Sequence, residues 1–135
     1  PWVNVTWEEA RAACEAAGKR LCDEDEWYSV CSGPPPGTVY PYGDTYLPDA
    51  CNGWDHSVVL GETGATPCEG GYPGVVDMSG NVWEWSASCA GDICRLKGGA
   101  YSNSDVNAEM RCFTGRIDYR FVSRGDMGFR CCRSL

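Results

Sequence analysis

Histidine is almost missing from this sequence: His56 is the only one in 135 residues, and no two cysteines stand at the Cys-x-x-Cys spacing. A structural zinc site is therefore poorly supported. The same shortage limits nucleophilic catalysis, because a serine or cysteine needs an orienting base, and Asp55, His56 and Ser57 are too close in sequence to form a triad by themselves. No run approaches the ~18 consecutive apolar residues of a membrane span, so membrane insertion is not expected. Residues 61–68 (GETGATPC) lack the lysine of a phosphate-binding loop. Positive charge is scarce as well. Eleven Lys and Arg against 19 Asp and Glu leave a net −8, which argues against nucleic acid as a partner.

What is present is cysteine, glycine and proline. Ten cysteines in so short a chain, roughly 7%, fit a disulfide scaffold and an oxidising compartment better than metal thiolates. Seventeen glycines and eight prolines break the sequence so often that helix is confined to its first third. The length fits one domain, residues 1–135. The chain does not open on a signal-peptide pattern, and its N-terminus is expected to be a processed or cut one.

Thr6-Trp7-Glu8-Glu9 is a capping box, predicting a helix over about 7–17 with Trp7, Ala10, Cys14 and Ala17 inward and Gly18 as its stop. Asp23 with Glu26 opens a second helix carrying Trp27, Val30 and Cys31. Residues 32–37 (SGPPPG) end it, and residues up to about 74 read as irregular. Short strands are expected at 81–85, 94–97 and 128–132.

The stretches GKRLCDEDEWYSVC (18–31), YPYG (40–43), GYPGVVDMSGNVWEW (71–85), RLKGGAYSN (95–103) and MGFRCC (127–132) together resemble the formylglycine-generating-enzyme, or sulfatase-modifying-factor (FGE-sulfatase), domain family. The resemblance implies an α+β, C-type-lectin-like fold with two N-terminal helices, a small twisted antiparallel sheet, much irregular backbone and bound calcium. Full members carry further strands before the point where this chain begins, so it is expected to be an excerpt or to lack them.

Calcium takes about six to eight oxygen ligands, carboxylate and carbonyl mixed. The positions that match a calcium site of the family are Asp77, the carbonyls of Gly80 and Val82, and Glu84. A second matches Asn52 and the Gly53 carbonyl, with further ligands near residues 60–62 and Asp55 or Glu62 as substitutes. Catalytic members hold Cu(I) on two cysteines after the Gly-Gly strand. Here those positions fall on Asn103 and Ala108, neither of which supplies the soft ligand that Cu(I) needs, so copper is not expected.

Cys14–Cys131 and Cys31–Cys112 match two disulfides of the family. Proximity adds Cys89–Cys94 and Cys51–Cys68, which leaves Cys22 for Cys132, although spacing by itself does not determine connectivity. With the chemistry lost and the scaffold kept, the expected working surface is the 101–126 segment. Tyr101, Ser102, Asn103, Asp105, Asn107, Arg116, Asp118, Tyr119 and Arg120 are of the amphipathic kinds common in binding loops. Some lectin-like members are diversified by retroelements in the segment before the terminal GFR, where this one lies. The reading is a non-catalytic, calcium-stabilised, secreted or otherwise extracytoplasmic binding module for a protein, peptide or glycan. The alternative is a divergent oxidase or the accessory domain of a larger enzyme.

Overall fold

The computed structural model describes residues 1–134. Helix α1, Trp7–Ala16, begins at a complete Thr6/Glu9 capping box and ends at Gly18, whose φ is 68°. The Lys19 amide reaches back to Cys14 O and the Gly18 amide to Glu15 O, satisfying carbonyls that the helix end leaves open. After β1, Arg20–Leu21, helix α2 (Glu24–Ser32) repeats the device with a capping box of Asp23 and Glu26. Two helices therefore start where side chains replace the missing backbone partners.

The main sheet is built from β2, Trp83–Ala90; β3, Ile93–Lys97; β4, Gly115–Tyr119; and β5, Met127–Phe129, in the order β4-β3-β2-β5. The expected antiparallel arrangement holds for β2–β3 and β3–β4, but β5 runs parallel to β2. The strand expected over 128–132 also divides: β6, Cys131–Cys132, leaves the main sheet and pairs with β1. Residues 116–121, read from composition as a loop, are mostly strand β4, and a one-turn helix α3, Val106–Glu109, interrupts the segment before it.

Trp83 and Trp85 are buried together in the largest apolar cluster, which also holds Val5, Ala10, Cys14, Leu21, Leu96 and Met127. A second cluster gathers Tyr40, Cys51, Cys68, Val106 and Met110 under the irregular region, and a third joins Trp27, Cys31, Met78 and Cys112 beneath α2. Five disulfides link Cys14–Cys131, Cys22–Cys132, Cys31–Cys112, Cys51–Cys68 and Cys89–Cys94, using all ten cysteines. Cys14–Cys131 and Cys31–Cys112 tie the two helices to the C-terminal third of the chain, compensating for a core divided into three small parts. Among the described residues no helix is long and apolar enough to cross a membrane.

Candidate functional site

Between Asp77 and Trp83 the chain makes a tight reversal in which Asp77, Gly80 and Asn81 all take positive φ (56°, 73° and 60°). At Gly80 a side chain is impossible for a second reason: a Cβ there would lie 2.4 Å from the Asn52 carbonyl oxygen. The Asn81 amide donates to that same oxygen at 2.7 Å, so the reversal is anchored on residue 52. Asp77, Gly80, Val82 and Glu84 consequently line one open cavity of about 510 Å³, together with Trp27, Phe129 and Arg130.

Arg130 belongs to that wall. Its Nε and Nη2 donate to the two Glu84 oxygens at 2.8 Å each, while Nη2 also reaches the carbonyls of Val76 (2.9 Å) and Asp77 (3.3 Å). Trp27 Nε1 adds a third hydrogen bond to Glu84, at 2.7 Å. Burial pushes the Asp77 carboxyl above its ordinary value against the opposing pull of the Gly64 amide and Arg130, and Glu84 pushes it further. Among the described residues no hydrogen bond outside the strand ladders reaches the Gly80 or Val82 carbonyls. The oxygen set expected for calcium is thus gathered on one cavity, but Glu84 already has a cationic partner that sequence reasoning missed. No three His, Cys, Asp or Glu side chains converge as a metal cluster among the described residues.

Asn52 faces a different, smaller cavity, of about 130 Å³, with Glu62, Thr66, Asp77 and Asn81 also in its wall. Its Nδ2 donates to Val59 O and Asn81 Oδ1, both at 3.1 Å, leaving Oδ1 buried without a partner. Thr66 Oγ1, in the same wall, is buried and unpartnered too. Two orphaned oxygens beside carboxylates are the donor chemistry that suits a hard cation. Gly53 is different: its carbonyl accepts from the amides of His56 and Ser57, both at 3.0 Å, and Gly53 is absent from that wall. Asp55 also lies elsewhere, near the Tyr46 hydroxyl.

The positions expected for copper ligands are occupied by structural groups. Asn103 Oδ1 accepts from the Ala100 amide at 2.7 Å, and Ala108 lies within α3, its amide capped by Asp105. Every cysteine is in a disulfide. Burial and nearby Asp105 raise the carboxyl of Glu109, which Arg116 and a hydrogen bond from Asn103 oppose.

The predicted ligand residues fall into two groups. Tyr101, Ser102, Asn103, Asp105 and Asn107 belong to the turn and the start of α3, with Ser102 donating to Asp126 at 2.7 Å. Arg116, Asp118, Tyr119 and Arg120 belong to β4 and its end. Asp118 accepts from Arg116 (3.3 Å) and Arg124 (2.9 Å), while Arg120 stacks over Trp7 and pairs with Glu8. Phe113, Ile117 and Phe121 lie inside the expected 101–126 segment but not among the residues singled out there; they are 83%, 57% and 66% exposed.

Two capped helices against a small mixed sheet, extensive irregular backbone and helix-to-terminus disulfides define a C-type-lectin-like α+β domain. The chain belongs to the sulfatase-modifying factor enzyme 1-like (FGE-sulfatase) domain family, whose description matches residues 1–135. It is 35% identical over 152 residues to the inactive C-alpha-formylglycine-generating enzyme 2 of Mus musculus, covering 99% of this chain and 49% of that one. To the formylglycine-generating enzyme of the same organism it is 27% identical over 161 residues, covering 97% and 43%. The chain thus spans about half the length of these curated relatives. Among solved structures, Treponema denticola variable protein 1 superposes with a TM-score of 0.84 at 18% identity, covering 99% of this chain and 71% of that one. That likeness is one of fold.

Proposed function

We propose that this chain is a non-catalytic, calcium-stabilised extracytoplasmic binding module whose ligand surface lies within residues 101–126. The observation that carries the reading is the fate of the cysteines: Asn103 and Ala108 stand where copper ligands are expected, and all ten thiols are consumed in disulfides. A relative named as inactive and a fold neighbour named as a variable protein are consistent with a scaffold retained without its chemistry. Five disulfides favour an oxidising compartment, hence export.

The test pairs two assays. Incubation of a cysteine-containing peptide with the protein and added copper is expected to give no formylglycine. A screen against glycans, peptides and cell-surface proteins is expected to return ligands whose binding drops about tenfold or more in Tyr119→Ala, as for a central aromatic contact. Turnover of the peptide, or ligands indifferent to Tyr119 and its neighbours, overturns the reading.

Calcium is proposed to be held by Asp77, Glu84 and the carbonyls of Gly80 and Val82, and by Asn52 Oδ1 with Thr66 and Glu62 in the smaller cavity. It would share Glu84 with Arg130, offset the charge of Asp77 beside it, and satisfy the orphaned oxygens of Asn52 and Thr66. Removal by a chelator is expected to lower the melting temperature by several degrees, since a ligand at about 100 times its Kd stabilises by ~2.7 kcal/mol. An unchanged melt in EDTA, with no calcium by elemental analysis, rules it out.

A further inference from the structure

Strand β4 is an edge of the main sheet with no further strand paired to it among the described residues, and its hydrogen-bonding alternation follows from its end. The Arg120 amide donates to Asp92 O at 2.8 Å, in continuation of the Tyr119–Ile93 register. Residues 116 and 118 and the Arg120 amide therefore bond towards β3, the Arg120 carbonyl turning instead to the Trp7 amide at 3.0 Å, and Gly115, Ile117 and Tyr119 direct their N–H and C=O groups outward. Tyr119 is satisfied locally, its amide donating to Asp118 Oδ1 at 2.9 Å and its carbonyl accepting from Val122 at 3.0 Å. Gly115 and Ile117 have no partner on that side among the described residues.

Proteins ordinarily protect such an edge with outward charge, proline or a covering loop. Here the exposed face carries the opposite. Ile117 and Tyr119 alternate along it, Phe121 stacks on Tyr119 with centroids 5.3 Å apart, Ile93 lies across the ladder from Tyr119, and Phe113 stands exposed just before the strand. Around this apolar row arginines outnumber the acids that meet them: Arg111, Arg116, Arg120 and Arg124 stand against Asp118, shared by Arg116 and Arg124, and Glu8, paired with Arg120, in a chain whose net charge is −8.

We propose that β4 is a docking edge for an extended acidic polypeptide segment of a partner protein, which adds to the sheet as a further strand. Backbone groups of Gly115 and Ile117 supply the pairing, the Ile117–Tyr119–Phe121 row receives alternate apolar side chains, and the arginines, four against the two acids Asp118 and Glu8, receive further carboxylates. The proposal rests on the binding-module reading and gives it a partner class and a mode.

The probe is a capped decapeptide of alternating Glu and Val, titrated into the isotopically labelled protein. Amides of Gly115 and Ile117 are expected to shift and to gain hydrogen-exchange protection. Affinity is expected to fall about tenfold or more when the peptide backbone is fully N-methylated, as for loss of two or so hydrogen bonds. The Lys-Val counterpart should not bind, and salt should weaken the acidic peptide. Equal binding of the methylated or the basic peptide, absence of binding at millimolar peptide, or self-association of this chain through β4 overturns the proposal. Shifts confined to 101–109 also overturn it while leaving the wider binding reading intact, and a failed ligand screen overturns that reading independently.

Discussion

Replacing Arg130 with methionine is expected to destabilise the fold by about 3–5 kcal/mol, the loss typical when one partner of a buried ion pair is removed. The Glu84 side chain is only 8% exposed, and two of its three hydrogen bonds come from Arg130. Without the guanidinium, and with calcium kept out by chelator, the Glu84 carboxylate retains Trp27 Nε1 as its sole protein donor, and the carbonyls of Val76 and Asp77 lose theirs. The cost thus arises from stranding a charge more than from losing an attraction. A double variant separates these effects. Glu84→Gln combined with Arg130→Met neutralises both partners and should recover much of the loss in urea unfolding. If the double variant is as unstable as the sum of the singles, the ion pair is not the origin of the defect.

Much of this architecture can be read locally. Both capping boxes are four-residue patterns, and the structure starts α1 and α2 at them because a helix end must find partners within its own first turn. The tryptophans of 83–85 alternate around Glu84, yet Glu84 is buried as well, so β2 is covered on both faces near its start. That is where local reading stops. Whether Glu84 meets solvent, a metal or an arginine depends on a residue 46 positions away, and an arginine between Phe129 and Cys131 carries no sign of its target. The β4 sequence misleads for a related reason. Gly-Arg-Ile-Asp-Tyr has strand periodicity, but its apolar positions face outward, where hydrophobic patterning expects polar ones, so composition reads as loop. The parallel β2–β5 pairing also lies beyond spacing, since it requires β3 and β4 to be placed first.

The binding surface and the scaffold therefore have opposite origins in the chain. Side chains that hold the fold together are gathered from distant segments: Trp27, Asp77, Glu84 and Arg130 around one cavity, Asn52 and Thr66 around another. The proposed contact row is contiguous in sequence, Phe113 to Phe121, and projects from an edge to which no other described strand is paired. Changes there disturb few packed neighbours, which is the property a surface needs if it is to change partner without unfolding its support.

The C-terminal disulfides are expected to behave as a coupled pair. Cys131 and Cys132 are adjacent and reach back to Cys14 and Cys22, so either bridge alone keeps the C-terminus attached to the N-terminal region. With one present, the other closes a loop of only about ten residues, worth ~2.5–3 kcal/mol of denatured-state entropy. With both removed, the next constraint is Cys31–Cys112, and the loop no longer closed spans roughly 38 residues, worth a further ~4 kcal/mol. Cys14→Ala/Cys131→Ala and Cys22→Ala/Cys132→Ala should therefore each cost about 2.5–3 kcal/mol. The variant lacking all four cysteines should lose about 6–7 kcal/mol, more than the sum of the two. Cys89→Ala/Cys94→Ala, which opens a hairpin with a separation of 5, should cost only about 2 kcal/mol. Urea unfolding without reductant reads all four. If removal of Cys14–Cys131 alone costs as much as removal of both bridges, Cys22–Cys132 contributes no independent tether, because a second bridge one residue away should then have held the C-terminus in place.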